Sequence, residues 1–457
     1  MDETRIRELE EIVGTEHVLS TEEDLISYSF DGTFTEARPD VVVQPLSTEQ
    51  VAAVMALADR YEIPVIPRGM ASGLAGGSVP VGGGIALSLT RMNRIVEIDQ
   101  DNMTATVEAG VITADLQTKV EKRGLFYPPD PSSVKQSTIG GNVACNAGGP
   151  RCLKYGVTGD YVMGLTLVTA AGDVIKTGGK FIKNVTGYNL TALLVGSEGS
   201  LAIITEIVVR LISKPLFVRT AMAVFDKLDD ASRAVNSVLQ EGIVPATLEM
   251  MDQTSIQCIE EAMNLGLPVD KAAMLIIECD GNNEAAVMED VQTLADACTN
   301  EGATAVTVAQ TEAERSELWR ARRSVSPSLA RKAPNKLGED ISVPRSRIPD
   351  AVRRIQETAD RCGLTIAVFG HAGDGNLHPN ILFDRRDEDQ NKKAEEAAAE
   401  IFNIALELEG TLSGEHGIGV MKKPHMEKDL GGVSMGLQKG IRRVFDPKGL
   451  LNPGKIY

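Results

Sequence analysis

Glycine is the residue that most constrains how this chain can fold, because it is concentrated in short segments rather than spread evenly. The densest segments are residues 68–84, residues 138–156 and residues 195–201. Backbone without a side chain can approach a ligand closely and direct several N–H groups at phosphate oxygens. A tight structural loop uses glycine in the same way, so each segment taken alone leaves both interpretations open.

The first of these segments does not fit the two commonest nucleotide-binding patterns. It lacks the G-x-G-x-x-G spacing, and no acidic residue ends a following parallel strand as a dinucleotide fold requires. It also lacks the lysine of a P-loop. A glycine-rich loop of another kind is therefore expected here.

Hydrophobic patterning predicts strands and helices around the glycine segments. Residues 41–43 and 64–67 are predicted to be buried strands. Between them, a capping-box sequence at 47–50 predicts the start of a helix with an apolar stripe. The two strands and this helix are expected to form a β-α-β unit. Further strands are expected at 85–89, 95–98, 104–108, 162–170 and 201–211, with a helix at 113–123 and a long loop at 127–160.

The pattern changes at residue 214. Short apolar strands such as 273–278 alternate with helices such as 229–241 and 284–300, which favours an antiparallel sheet in an α+β arrangement. A helix rich in alanine and glutamate follows at 391–409, and the chain ends in a turn-rich tail. The expected class is α+β, with parts at 1–213, 214–412 and 413–457.

Composition excludes several classes of protein. The chain has 457 residues, a hydrophobic fraction of 43% and a formal net charge of -18, which suits two or three globular domains. That charge repels phosphate backbones and anionic lipids, so no nucleic-acid partner is expected. No apolar run is long enough to cross a membrane, and the acidic N-terminus does not resemble a signal peptide. We therefore expect no membrane insertion and a cytoplasmic protein.

The 6 cysteines do not form a C-x-x-C pair. Zinc ribbons and iron–sulfur clusters held by this chain are therefore not expected, and scattered thiols suit a reducing compartment.

Three of the 5 histidines lie between residues 371 and 416. Two apolar runs flank residues 373–376, which predicts a hairpin that pairs His371 with His378 and places Asn380 on the same face. Neighbouring imidazoles repel each other when protonated, so a shared Zn, Mn or Fe ion explains them better, with Glu415 as the third ligand. The alternative is that each histidine is a hydrogen-bonded structural residue.

The glycine segments, together with Pro-Pro-Asp-Pro-Ser at 128–132, resemble the FAD-binding domain of the vanillyl-alcohol oxidase (p-cresol methylhydroxylase) family across residues 35–212. The resemblance implies FAD, a two-part FAD-binding domain at 1–213, and an α+β cap domain. The residues it places near FAD are Arg68, Gly69, Met70, Ala71, Ser72, Gly73, Leu74, Ser78, Pro129, Asp130, Thr138, Gly141, Asn142, Gly148, Gly149, Gly156, Glu198, Gly199, Ile204 and Asn452. Since His17 is the only histidine before 371, FAD is expected without a histidyl bond, while Cys145 and Cys152 stay open as tethers.

The sequences GHAGDGNLHPN, SGEHGIG and DPKGLLNPGKI are similar to the FAD-linked D-2-hydroxy-acid dehydrogenase branch of that family, which includes D-lactate dehydrogenase and the glycolate oxidase FAD subunit. The resemblance implies metal ligation by His371, His378 and Glu415, and a base role for His416. It also implies a segment at 413–457 that returns to the flavin.

Three arginines on one predicted helix, at 320, 322 and 323, suit a substrate carboxylate. By similarity Arg322 is the clamp and Ser326 assists it. A solvated helix face is the alternative. Some members of the family have a lysine where this chain has Gly338, and Lys336 lies slightly earlier, so the role of the lysine and the length of the substrate stay open. Lys336 and Asn380 complete the expected substrate-binding set.

The expected activity is metal-assisted oxidation of a small D-2-hydroxy acid, with D-lactate or glycolate as the expected substrate and hydride transfer to FAD. An external acceptor, such as an electron-transfer flavoprotein or an iron–sulfur subunit, must then take the electrons. Two alternatives remain open: a metal-independent flavin oxidoreductase of another alcohol, and a non-catalytic FAD electron-transfer subunit.

Overall fold

A computed structural model describes all 457 residues. The contacts within the chain divide it into two compact units. The first comprises Met1–Gly149, Gly156–Lys214 and Glu415–Tyr457, and the second comprises Pro150–Tyr155 and Pro215–Gly414. Each unit contains both helices and sheets, so the predicted α+β class is confirmed. The assignment of cofactor and substrate domains to parts of the chain stays a prediction.

The first sheet of the first unit has the strand order Val18–Leu19, Val41–Val43, Ile85–Ser88 and Val65–Arg68. The last three strands are parallel. Helix Thr48–Tyr61 connects strands Val41–Val43 and Val65–Arg68. Ser47 is its N-cap, and the Ser47 hydroxyl accepts a hydrogen bond from the N–H of Gln50 at 3.3 Å. The apolar stripe of this helix is buried. The predicted β-α-β opening is therefore confirmed.

The second sheet of this unit is antiparallel, with the order Ile95–Asp99, Thr104–Glu108, Ile203–Arg210, Val162–Val168 and Val174–Gly178. Leu125–Phe126 and Ile212–Ser213 form a separate pair. The α-helices of the unit are Glu3–Val13, Glu22–Ser27, Thr48–Tyr61, Thr113–Glu121, Ile139–Cys145, Leu190–Leu194 and Met426–Phe445, and 3-10 turns lie at Thr15–His17, Thr158–Tyr161 and Lys423–His425.

The predicted loop at 127–160 was wrong in part, because helices Ile139–Cys145 and Cys152–Tyr155 lie inside it. The first of them contains Gly140 and Gly141, which have low helix propensity, so the sequence gives little sign of it. The hydroxyl of Thr138 begins this helix by accepting the N–H of Gly141 at 3.2 Å. A cap therefore compensates for poor propensity.

The second unit is built on one antiparallel sheet. Its strand order is Ala303–Val308, Phe217–Phe225, Ala273–Gly281, Thr247–Asp252, Thr365–His371, Asn376–Phe383 and Asn335–Gly338, and Ile341–Ser342 also pairs with Asn376–Phe383. The α-helices are Cys152–Tyr155, Leu228–Gln240, Gln253–Met263, Glu284–Asn300, Glu312–Lys332, Ile348–Cys362 and Glu388–Glu407, with a 3-10 turn at Arg345–Arg347. The antiparallel sheet predicted for this part is confirmed.

Helix Glu312–Lys332 covers part of the sheet. Its Ala321, Val325 and Leu329 pack in one apolar cluster with Met251 and Phe369 of the strands. This packing fixes the rotation of the helix and therefore decides which of its arginines faces the sheet. Across the whole chain, none of the helices combines the length and the apolar character that crossing a bilayer requires.

Candidate active site

The predicted hairpin exists, but its predicted register was wrong. His371 pairs with Asn376 and His378 pairs with Phe369, so the two histidines are not directly opposite each other. The turn closes one residue earlier than predicted, because the N–H of Gly375 bonds to the carbonyl of His371 at 3.1 Å and Gly375 adopts φ +85°. The shift amounts to two residues in pairing, so both histidines stay on one face of the sheet.

The two imidazoles are neighbours across the diagonal of the hairpin. Their ring centroids lie 5.1 Å apart, and the Nε2 atoms of His371 and His378 are 3.4 Å apart. Both side chains are buried. The structure therefore brings the predicted histidine pair together, with one nitrogen of each ring directed at the other.

A carboxylate that sequence reasoning missed lies behind this pair. Glu249 is fully buried on strand Thr247–Asp252 and stands opposite His371 in the sheet. Its Oε1 lies 2.5 Å from Nδ1 of His371, and its Oε2 accepts a hydrogen bond of 2.6 Å from Nε of Arg322. Burial acts to raise the pKa of Glu249, but the attraction of His371 and Arg322 outweighs it and holds that pKa below its usual value.

Of the three predicted arginines, Arg322 is the one that faces the sheet. Its side chain is 10% exposed, and its guanidinium lies 4.8 Å from the ring centroid of Phe369. Arg320 pairs with Glu317 on the helix surface, and Arg323 is exposed. The solvated-face interpretation thus fits Arg320 and Arg323.

The remaining predicted substrate residues lie on the same unit. Nζ of Lys336 donates to Oγ of Ser326 at 2.7 Å, and burial lowers the pKa of Lys336. Nδ2 of Asn380 donates to the carbonyl of His378 at 2.8 Å. Gly338 pairs with Asn380, and a Cβ there would lie 3.1 Å from Oδ1 of Asn380. A side chain at 338 would therefore crowd the amide of Asn380.

Glu415 and His416 lie in a segment of the first unit whose backbone is held by Glu198. The carboxylate of Glu198 accepts the N–H groups of Ile418 at 2.6 Å and Gly419 at 2.8 Å. Burial raises the pKa of Glu198, and these two hydrogen bonds act against that shift. The residue was predicted to lie near FAD, and in the structure its carboxylate positions the segment that carries His416.

The tail returns to the first glycine segment. Nδ2 of Asn452 donates to the carbonyls of Gly77 at 2.9 Å and Glu198 at 2.7 Å. Its Oδ1 accepts from Nζ of the buried Lys455 at 2.9 Å. Asn452 thereby ties three separate segments of the first unit together.

The other residues predicted near FAD belong to the first unit and include several close backbone approaches. A Cβ at Gly69, Gly149, Gly156 or Gly199 would lie 2.5 Å or less from an atom of Thr138, Asp130, Asp160 or Pro67, respectively. Arg68, Pro129, Asn142, Gly148 and Ile204 are buried. Met70, Gly73, Leu74 and Gly141 are exposed, and Ala71, Ser72 and Ser78 are half-buried.

Comparisons with known proteins decide the family. The description "FAD linked oxidases, C-terminal domain" matches residues 214–456, and "FAD binding domain" matches residues 39–178. The glycolate oxidase subunit GlcD of Bacillus subtilis is 45% identical over 98% of this chain and 96% of the relative. A D-lactate dehydrogenase of Anaerostipes hadrus is 36% identical over 93% of this chain and 90% of the relative.

The chain belongs to the FAD-linked oxidases.

Solved structures give the same fold. p-Cresol methylhydroxylase superimposes with a TM-score of 0.84 at 17% identity, over 99% of this chain and 96% of that protein. A 4-ethylphenol oxidase from Gulosibacter chungangensis gives 0.83 at 20% identity, over 99% and 96%. The predicted resemblance to the vanillyl-alcohol oxidase family and the predicted FAD cofactor are therefore confirmed, and this FAD-linked oxidase is an oxidoreductase.

The residues around the glycine segments fit FAD. Buried oxygens of Asp31, Ser78 and Ser197 have no hydrogen-bond partner within the protein. A Cβ on Gly73 would meet no atom within 4 Å, so that part of the loop presents open backbone. The two serine hydroxyls and the open backbone N–H groups are donors that suit phosphate and ribose oxygens, whereas the Asp31 carboxylate can only accept. Desolvation raises the pKa of the half-buried Cys145 to about 12, which disfavours a thiolate there, and Cys152 lies in the second unit.

The separation of the two histidine nitrogens fits a divalent metal ion. Two metal–nitrogen bonds of about 2.0–2.1 Å at a tetrahedral angle place their nitrogens about 3.4 Å apart, and Nε2 of His371 and Nε2 of His378 have that separation, 3.4 Å. The Nδ1 of His371 is engaged by Glu249, as the outer nitrogen of a metal-bound imidazole usually is.

Proposed function

We propose that this FAD-linked oxidase oxidises a small D-2-hydroxy acid, with D-lactate or glycolate as the preferred substrate, to the 2-oxo acid. A divalent metal held by His371, His378 and Glu415 assists the reaction. The names of the relatives support the substrate class, since they include glycolate oxidase subunits and D-lactate dehydrogenases. The observation that carries the metal is the 3.4 Å separation of the two Nε2 atoms.

When bound, FAD supplies the acceptor for two electrons, and the metal ion supplies a Lewis acid next to the substrate hydroxyl. His416 takes the hydroxyl proton as general base, which needs its imidazole neutral. The hydroxyl oxygen then forms the new carbonyl as the C–H bond at the carbinol carbon breaks, and bound FAD would accept the hydride that this leaves. The protein must therefore hold the carbinol carbon and the proton acceptor in fixed positions.

Arg322 holds the substrate carboxylate. Its Nε and Nη2 face Oε2 of Glu249, both at 2.6 Å, which leaves Nη1 to donate to a substrate oxygen. Lys336, Ser326 and Asn380 provide further polar contacts to the substrate. The net charge of -18 opposes an anionic substrate, so these local cations are required.

The electrons must leave the reduced FAD for an external acceptor, because no C-x-x-C pair offers a cluster site within the chain. We infer an electron-transfer flavoprotein or an iron–sulfur subunit as that partner, in the cytoplasm. The word "subunit" in the names of the glycolate oxidase relatives supports such a partner.

The substrate is tested by anaerobic mixing of the FAD-loaded protein with D-lactate, L-lactate, glycolate and D-2-hydroxyglutarate. We expect D-lactate or glycolate to bleach the flavin absorbance, and L-lactate to bleach it at least tenfold more slowly. A flavin that none of the four acids reduces would contradict the proposal and support an electron carrier.

The metal is tested by elemental analysis of the purified protein and of the variant His371→Ala. We expect bound metal and flavin reduction to be lost together in that variant, while His17→Ala keeps both. Unchanged metal content and turnover in His371→Ala would favour a metal-independent oxidoreductase.

A further inference from the structure

Glu249 joins two groups to which the proposed function gives separate tasks. Its two carboxylate oxygens bind different partners, His371 on a neighbouring strand and Arg322 on helix Glu312–Lys332. We propose that Glu249 is a positioning residue that sets the orientation of a metal ligand and of the substrate-carboxylate clamp at the same time. This inference rests on the proposed function for the tasks of the two partners.

The first half of the inference concerns the tautomer of His371. A buried carboxylate that is ionised can only accept hydrogen bonds, so Nδ1 of His371 must carry the hydrogen in its 2.5 Å contact with Oε1. In the neutral ring the lone pair is then on Nε2, the nitrogen that lies 3.4 Å from Nε2 of His378. Glu249 thus selects the tautomer that can bind a metal and fixes the plane of the ring.

The second half concerns Arg322. Oε2 of Glu249 accepts a hydrogen bond from Nε of Arg322 and lies 2.6 Å from Nη2 on the same edge of the guanidinium, and the ring of Phe369 lies 4.8 Å from the guanidinium centre. These contacts hold the guanidinium plane in one orientation. The edge with Nη1 is then the one that can meet a carboxylate. Because Glu249 is fully buried, neither contact is weakened by solvent.

The same sheet contains a second buried glutamate that pairs with an arginine but contacts no histidine. Glu278 lies on the adjacent strand Ala273–Gly281, is 4% exposed, and binds Arg315 of the same helix at 3.0 Å. Its other partners are Nε1 of Trp319 at 2.7 Å and the hydroxyl of Thr220 at 2.9 Å, and no histidine is among them. A buried glutamate–arginine pair is therefore a feature of this unit in general, and the contact with His371 is what distinguishes Glu249.

The test compares Glu249→Gln with Glu278→Gln in the FAD-loaded protein. Metal affinity is measured by competition with a coloured chelator, using Zn²⁺ and Mn²⁺ separately. We expect Glu249→Gln to weaken metal binding about 10–100-fold, the usual effect of removing the partner of a metal-bound imidazole, and to raise KM for the hydroxy acid. In Glu278→Gln, metal affinity and KM should stay within about twofold of the unchanged protein.

A readout without metal or turnover separates this inference from the proposed function. Nitrogen-15 NMR of the metal-free protein should show His371 protonated at Nδ1, and a mixture of tautomers in Glu249→Gln. If the protein oxidises a hydroxy acid but binds no metal, the metal part of the proposed function is wrong, while this tautomer shift would still support a positioning role.

Unchanged metal affinity and an unchanged His371 tautomer in a folded Glu249→Gln would overturn the inference. If that variant does not fold, Glu249→Asp replaces it. The shorter side chain keeps the charge but cannot span both partners, so we expect either metal affinity or KM to change by at least fivefold. Changes below twofold in both would also overturn it.

Discussion

The glycine-rich segments of the first unit and the charged cluster of the second unit prepare for their ligands in opposite ways. In the glycine-rich segments, backbone groups provide many of the contacts offered to a ligand, and buried oxygens of Ser78 and Ser197 have no hydrogen-bond partner within the protein. In the second, the ionisable groups contact each other directly, as Glu249 does with His371 and Arg322. The first region is completed by a ligand, whereas the second is already assembled.

The difference follows from the size of what each region binds. A large cofactor offers many oxygens, so many weak contacts suffice and no single one dominates. A metal ion or a small acid offers few contacts, and each must be strong and precisely placed. Changes in the first region should therefore alter FAD content gradually. Changes to the catalytic groups should alter turnover while FAD content stays the same.

The largest effect is expected from His416→Ala. Removing a general base costs about 10²–10⁴-fold in the rate of flavin reduction. Because Glu198 holds the segment through backbone N–H groups, the fold and the FAD content should not change. Stopped-flow flavin reduction and absorbance of bound FAD measure the two quantities, and His425→Ala is the matched control. Loss of FAD in His416→Ala would mean that a catalytic group also determines FAD content, which would contradict the difference between the two regions.

A second buried carboxylate sharpens the contrast through its pH dependence. Asp252 accepts hydrogen bonds from Ser255, Val368 and Gln356, none of which is cationic. Burial therefore raises its pKa to about 6, whereas the pKa of Glu249 beside a cation is lowered. Stability from the neutral form of Asp252 is fully present below about pH 4 and is lost as pH rises through about 6.

This loss lowers the free energy of unfolding by about 3 kcal/mol between about pH 4 and about pH 6. Asp252→Asn should remove this slope. It should also lower stability overall, because the amide N–H group would face donors. Urea unfolding of the FAD-loaded protein at pH 4, 5, 6 and 7 measures both effects. If the free energy of unfolding of Asp252→Asn still falls as pH rises, groups other than Asp252 cause the pH dependence.

Arg322→Lys should give the next effect. A lysine keeps the charge but cannot hold Glu249 and a carboxylate in one plane. Losing a charge-assisted hydrogen bond of about 1.5–3 kcal/mol lowers kcat/KM for D-lactate or glycolate about 10–100-fold. Arg315→Lys, which disturbs the pairs with Glu278 and Glu312 but not Glu249, is the control and should leave kcat/KM within about twofold. Equal losses in both variants would mean that helix packing, rather than substrate contact, is responsible.

Local pattern was enough to predict the hairpin and the histidine pair, since both depend on residues close together in the chain. The alternation of short apolar strands with helices also predicted the antiparallel sheet, although its paired strands lie far apart in the chain. It could not predict Glu249, whose partners lie 73 and 122 residues away and whose strand looks like any other apolar strand. The signal available was weak: a single acidic residue inside a buried strand, which demands a partner somewhere. The hairpin register failed because the glycines at 373 and 375 allow several turns, and only the backbone hydrogen bonds select one.

The smallest effect is expected from Gly69→Ala, in the backbone-built region. The new Cβ would lie 2.4 Å from Oγ1 of Thr138, the hydroxyl that caps helix Ile139–Cys145. Losing that cap costs about 1 kcal/mol, which corresponds to about fivefold weaker FAD binding if the cofactor needs the helix in place. Equilibrium dialysis measures the affinity, and Gly440→Ala, with no atom within 4 Å, is the control. Turnover per bound FAD should not change. A fall in turnover per FAD would mean that this region also shapes the chemistry, and the two regions would then not be separable.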